Sequence, residues 1–269
     1  MKKIKLNLTG LTLLSVGLLV TGGSLTQAAT VGSTTSNAKI TFRAKITATP
    51  PVSPNDGKTP ITPTTPGVPN TSNPVLSGDG LTLDFVPALN FGTHYVDASS
   101  AHTWSAWAAD DGTGKAIPQF MQVSDNRGTP SGPLGWSVAL TQTAQFAGAT
   151  AGNLTNAVLT FNADGTNNVV SASANKATSA TNTALNALVP GTAITIFQAD
   201  AGTGTGTNLL NFGAKDGSSL VSDPEALDTA NTTGKVDPNI TLNVPAGAAK
   251  ADTYSATLNW NLYSAPGNA

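Results

Sequence analysis

Apolar residues along most of this chain fall on every second position, in short runs broken by turn-forming residues. Over residues 254–263, Tyr254, Ala256, Leu258, Trp260 and Leu262 alternate with Ser255, Thr257, Asn259 and Asn261, the period of a strand with one buried face. Pro266 stands just beyond, where it stops a ladder. Residues 39–46 repeat the pattern: Ile40, Phe42, Ala44 and Ile46 alternate with Lys39, Thr41, Arg43 and Lys45. Further strands are predicted over 81–86, 119–124, 136–141, 157–162, 193–197 and 240–244, separated by turns such as Asp164-Gly165 and Pro190-Gly191. A single short helix is predicted over 178–188, where Ala180, Ala184, Leu185 and Leu188 have helical spacing. Strands spaced in this way predict an all-β fold, an antiparallel β-sandwich, with a barrel as the alternative.

The pattern changes at two places, and both mark boundaries. Residues 1–28 read as a signal peptide: Lys2, Lys3 and Lys5 precede an apolar run over 11–20, and Thr26-Gln27-Ala28 is a small-x-small cleavage site. That run is too short for a bilayer span, and no later one reaches the length a span requires. Residues 49–74 carry eight of the chain's 17 prolines, at 50, 51, 54, 60, 63, 66, 69 and 74. Fixed φ angles and missing N–H groups keep this stretch out of any ladder, so it is predicted as an extended proline-rich loop or linker. A lone strand is not stable. The strand in 29–48 is therefore expected to dock on the main domain, residues 75–269, with the proline-rich segment looping across the surface.

Composition narrows the function classes. Charged residues are only 10% of the chain, and removal of the three signal lysines shifts the net charge from −2 to −5, with no Lys/Arg cluster. Such a chain has no electrostatic footprint for nucleic acid. Cys is absent, which removes disulfides and thiol chemistry. His94 and His102 are the only histidines and lack metal-ligand spacing, so no metal site is expected. No nucleophile elbow or metalloprotease motif occurs, and Gly202, Gly204 and Gly206 lack the setting of a nucleotide loop, so neither enzyme activity nor a cofactor is expected.

The terminal frame Tyr254, Leu258, Trp260, Leu262 and Pro266 resembles the distal motif of the WxL surface domain of Gram-positive bacteria. Ordered pieces carry that resemblance over the mature chain: residues 37–42, the proline-rich stretch, 81–87 with Asn90-Phe91-Gly92, then 122–128. The proximal tryptophan in Gly135-Trp136-Ser137-Val138, the Gly-rich 202–206 and Leu242-Asn243-Val244-Pro245 complete the set. Val138 stands where Leu is usual, and Asn259 where Thr is commoner. The resemblance implies a secreted protein held non-covalently at the cell surface on peptidoglycan or an associated wall polymer, with other surface proteins as further partners. The alternative is a structural subunit that docks on an anchored partner and meets the wall only through it. No L-P-x-T-G sorting signal and no lipobox cysteine are present, in keeping with non-covalent attachment.

Two readings of the candidate residues stay open at this point. Trp136 and Trp260 sit on strand faces and suit a sandwich core, or a ligand surface. Trp104 and Trp107, three apart between turn-rich segments, are the candidates for an exposed aromatic platform that meets sugar rings. Asp125 and Arg127 form either a bidentate site for a wall-peptide carboxylate or an ion pair that orders a bend. Asp110-Asp111-Gly112 reads as a turn.

Overall fold

The alternating runs become antiparallel strands in the computed structural model, which describes residues 32–69, 74–161, 167–173, 175–176, 187–224 and 229–267. The signal peptide and most of the predicted helix lie outside these residues. Residues 42–269 form one compact unit; of the other, 1–41, the described part is exposed and irregular.

One layer is a five-stranded sheet in the order β1 (Val75–Leu76), β2 (Leu81–Phe85), β6 (Phe120–Asp125), β13 (Gly206–Phe212) and β11 (Asn167–Ser171). Facing it are two further sheets. One places β7 (Trp136–Gln142) between β12 (Ala193–Ala199) and β17 (Leu258–Tyr263); the other has β15 (Lys235–Val244) pairing with β10 (Val158–Phe161), β14 (Val221–Ser222) and β3 (His102–Trp107). Small pairings complete the set: β4 (Ala109–Asp110) with β5 (Ala116–Ile117), and β8 (Ala147–Gly148) with β9 (Gly152–Asn153) and β16 (Tyr254–Ser255). The principal core fills the space between the layers: Leu81, Leu83, Met121, Val123 and Phe212 meet Trp136, Val138, Leu140, Phe161, Phe197 and Ile240. This is the antiparallel β-sandwich that the alternation predicts.

Every residue of β2 and β6 is buried, which one core face cannot explain. The proline-rich residues supply the second cover. Val52 packs with Phe85, Ile117, Phe120 and Leu209 on the sheet's outer face, with Ile61 against them. Prolines limit the segment to isolated bridges, such as Thr64 with Asp110, and side chains of the outer face bind its first residues. The Asp84 carboxylate accepts the Thr49 N–H at 2.8 Å, and Gln122 accepts the Val52 N–H at 2.9 Å while donating to the Thr49 and Pro50 carbonyls. Residues 49–69 are thus a strap folded onto the sandwich.

Residues 39–46 depart from expectation. They form no strand, and Ile40, Phe42 and Ile46 are 76%, 84% and 55% exposed. The predicted alternation is present, but no ladder partner lies beside it among the described residues.

Candidate functional site

The two tryptophan motifs, more than a hundred residues apart, become neighbouring strands. In the β7–β17 ladder Val138 stands opposite Leu262, Leu140 opposite Trp260 and Gln142 opposite Leu258. Their tryptophans have different surroundings. Trp136 is fully buried, meets Phe197 edge-on at 4.8 Å and donates its indole N–H to the Gly204 carbonyl at 3.1 Å. Gly204 allows that approach because it has φ +82°, and a Cβ there would stand 2.6 Å from the indole nitrogen. The Gly-rich run therefore seats a core tryptophan. Trp260 is only half-buried; one side of its ring meets Phe161 edge-on at 6.1 Å. Tyr254, Leu258 and Leu262 are half-buried with it, and Pro266 lies in the turn after β17.

Asp125 and Arg127 form a pair with side chains 2% and 3% exposed. Arg127 forks onto the carboxylate at 2.9 and 2.7 Å and donates to the Gly135 and Ser264 carbonyls at 2.6 and 3.1 Å. Hydrogen bonding to Asp125 holds the guanidinium pKa above its usual value, against the effect of burial. All of these donors serve to clamp the end of β6 to the starts and ends of the motif strands. The pair has the geometry of a buried clamp, with almost none of either side chain open to solvent.

Trp107 is buried at 2% exposure beneath the 90–92 loop, its backbone N–H donating to the Asn90 carbonyl at 2.7 Å. A Cβ on Gly92 would lie 3.0 Å from its indole nitrogen. It is a core residue, which corrects its assignment to a platform: three positions along a strand put Trp104 and Trp107 on opposite faces. Trp104 stays half-exposed, stacked against His94 at 4.3 Å and His102 at 5.3 Å. The outer histidine is fixed in turn by Asp97 at 2.9 Å, a contact that holds the carboxyl at a pKa of about 2.

Two of these three rings, His94 and Trp104, line a cleft of about 870 Å³. Leu89, Phe91, Phe146, Leu154, Leu159, Leu242 and Leu258 form its apolar walls, with Tyr95, Trp104, Tyr254 and Trp260 as aromatic surfaces. Tyr95 is 79% exposed. Charge is sparse: Asp252 is taken up by the backbone N–H groups of Thr150 and Ala151, both at 2.8 Å, which lower its pKa to about 2. The remaining charged side chain of the lining is Lys250, on the exposed rim. Tyr95, His94 and the 86–96 segment were not legible as site residues. The one available signal was that His102 and Trp104, two apart on a strand, share a face.

Among the described residues no three His, Cys, Asp or Glu side chains gather as a metal site, and no helix is long and apolar enough to cross a membrane. Asp110 and Asp111 are engaged by the N–H groups of Gly112, Gly114 and Thr113. No curated protein and no solved structure matches the chain. A protein-family model described as WxL domain surface cell wall-binding matches residues 29–266, and the chain belongs to that family of proteins of the cell surface and cell wall.

Proposed function

We propose that this protein is secreted and held non-covalently on the Gram-positive wall by binding peptidoglycan directly, with the aromatic-rimmed cleft as its seat. The observation that carries the reading is the combination of apolar walls, four aromatic surfaces and few charges in one 870 Å³ cleft. Such a lining suits a neutral N-acetylated glycan. C–H faces of the sugar meet aromatic rings, acetamido methyls meet the apolar walls, and Lys250 at the rim matches a stem-peptide carboxylate. A polyanionic wall polymer calls for clustered Lys and Arg, and the lining does not have them.

Co-sedimentation with sacculi stripped of protein and of anionic polymers tests this. The purified chain pellets with such sacculi if it binds peptidoglycan itself. Pelleting only after other surface proteins or the anionic polymers are restored would overturn the reading.

A further inference from the structure

We propose that residues 39–46 are a donor strand that one copy of the protein adds to the free edge of β17 in a second copy. Both halves of that contact are open in the same chain. On the donor, Ile40, Phe42 and Ile46 are large, exposed and set at strand spacing, an arrangement soluble proteins rarely leave uncovered.

The acceptor is β17. It pairs with β7 on one side, and among the described residues no strand pairs with its other side. Stable proteins protect such an edge with charges, prolines or bulges. β17 has none: its sequence is LNWNLY and its register with β7 runs unbroken from Leu258 to Tyr263. The opposite edge of the same sheet, β12, is bulged between Thr195 and Phe197. Beside Trp260 a hollow of about 130 Å³ opens among Val75, Leu83, Phe85 and Val86. A strand laid about 4.8 Å beyond β17 directs alternate side chains toward that layer. The apolar row of residues 40, 42 and 46 fits this position, and its polar row, Thr41, Arg43 and Lys45, then lies beside the outward Asn259 and Asn261.

A second copy is the occupant because the donor is tethered on its own molecule and still unpaired there. Ala44 lies against Gly80, and Thr49 is held by Asp84, so Phe42 leaves the surface two residues from an anchor. Donor and acceptor are different surfaces, so the contact is head-to-tail and propagates. On a wall, linked copies hold on together more strongly than single ones. The acceptor strand also lines the cleft through Leu258 and Trp260, but the contact is read by self-association and needs no wall ligand.

Sedimentation velocity of the mature chain over a concentration series tests it. The parent is expected to form dimers and longer assemblies. Phe42→Asp removes the donor. Asn259→Lys with Asn261→Lys sets like charge beside Arg43 and Lys45 and raises the dissociation constant by about tenfold, while the paired Asp substitutions lower it. At concentrations where the parent associates but which lie below the raised dissociation constant, each blocked variant alone is monomeric. Mixing the Phe42→Asp chain, whose acceptor is intact, with the double-Lys chain, whose donor is intact, restores one contact and gives a one-to-one dimer that cannot extend, whereas mixing the Phe42→Asp chain with the parent caps assemblies and shortens them; a mixture that stays monomeric overturns the proposal. A parent that stays monomeric at all concentrations overturns the proposal. So do assemblies indifferent to these substitutions, and so does a monomer that Phe42→Asp merely destabilises, which would mean the strand docks on its own chain.

Discussion

Replacing Arg127 by Ala tests whether the Asp125–Arg127 pair is a clamp or a ligand site. The substitution removes four hydrogen bonds at 2.6–3.1 Å and leaves the Asp125 carboxylate, at 2% side-chain exposure, without its counter-charge. Breaking a buried ion pair from one side costs about 3–5 kcal/mol, because the stranded charge keeps its full desolvation penalty. For a domain of this size, 1 kcal/mol moves the melting temperature by roughly 2–4 °C, so the variant should melt about 6–20 °C lower. Two companions separate charge from shape. Arg127→Lys keeps the charge but loses the fork, so it should recover only part of the loss. Arg127→Met combined with Asp125→Asn removes both charges and should be more stable than Arg127→Met alone. Differential scanning calorimetry with sacculus binding in parallel reads all four. If Arg127→Ala melted within 2 °C or so of the parent and yet lost wall binding, the pair would be a ligand site and the clamp reasoning would fail.

Trp136→Ala should destabilise by about 3–5 kcal/mol in denaturant titration, since the ring is fully buried against Phe197 and Gly204. Trp107→Ala should fall in the same range, whereas an exposed platform would have lost little. Asp56, Asp97 and Asp252 have pKa values of about 2 against an ordinary 3.8, held down chiefly by Thr59, His102 and the Thr150 N–H respectively. Carboxyls depressed on folding contribute stability that is complete above the unfolded value and lost as pH falls through the folded one, so the melting temperature should drop between about pH 4 and pH 2. Asp252→Asn should flatten that slope.

All seven strand segments predicted in the main domain coincide with observed strands, because a half-buried strand writes its period into the sequence. Among the longer strands, β3, β11 and β13 carry no such signal. β13 runs from Gly206 through Asn208 and Asn211, polar residues that are buried because they bond to the Gly204, Gly206 and Pro54 carbonyls. Residues 39–46 show the converse: a period predicts the capacity to form a strand, and the partner must come from elsewhere. The way the proline-rich strap is held down is not legible for a related reason. Proline content rules out a continuous ladder but says nothing of isolated bridges such as Thr64 with Asp110, or of side chains such as Asp84 and Gln122 that bind a backbone from below. The site divided in the same way. Burial of Trp136 was legible from its strand, while the cleft joins Tyr95, Trp104 and Tyr254 from segments that only tertiary packing brings together.

The central claim, direct wall binding through the aromatic-rimmed cleft, is tested most directly by the affinity of Tyr95→Ala and Trp104→Ala for stripped sacculi, with melting temperature measured on the same samples. Tyr95 is exposed and Trp104 half-exposed, so both variants should fold. The account predicts that each binds at least about tenfold more weakly while melting within about 4 °C of the parent. Parent-like binding by both variants would contradict it and place the wall contact elsewhere on the sandwich.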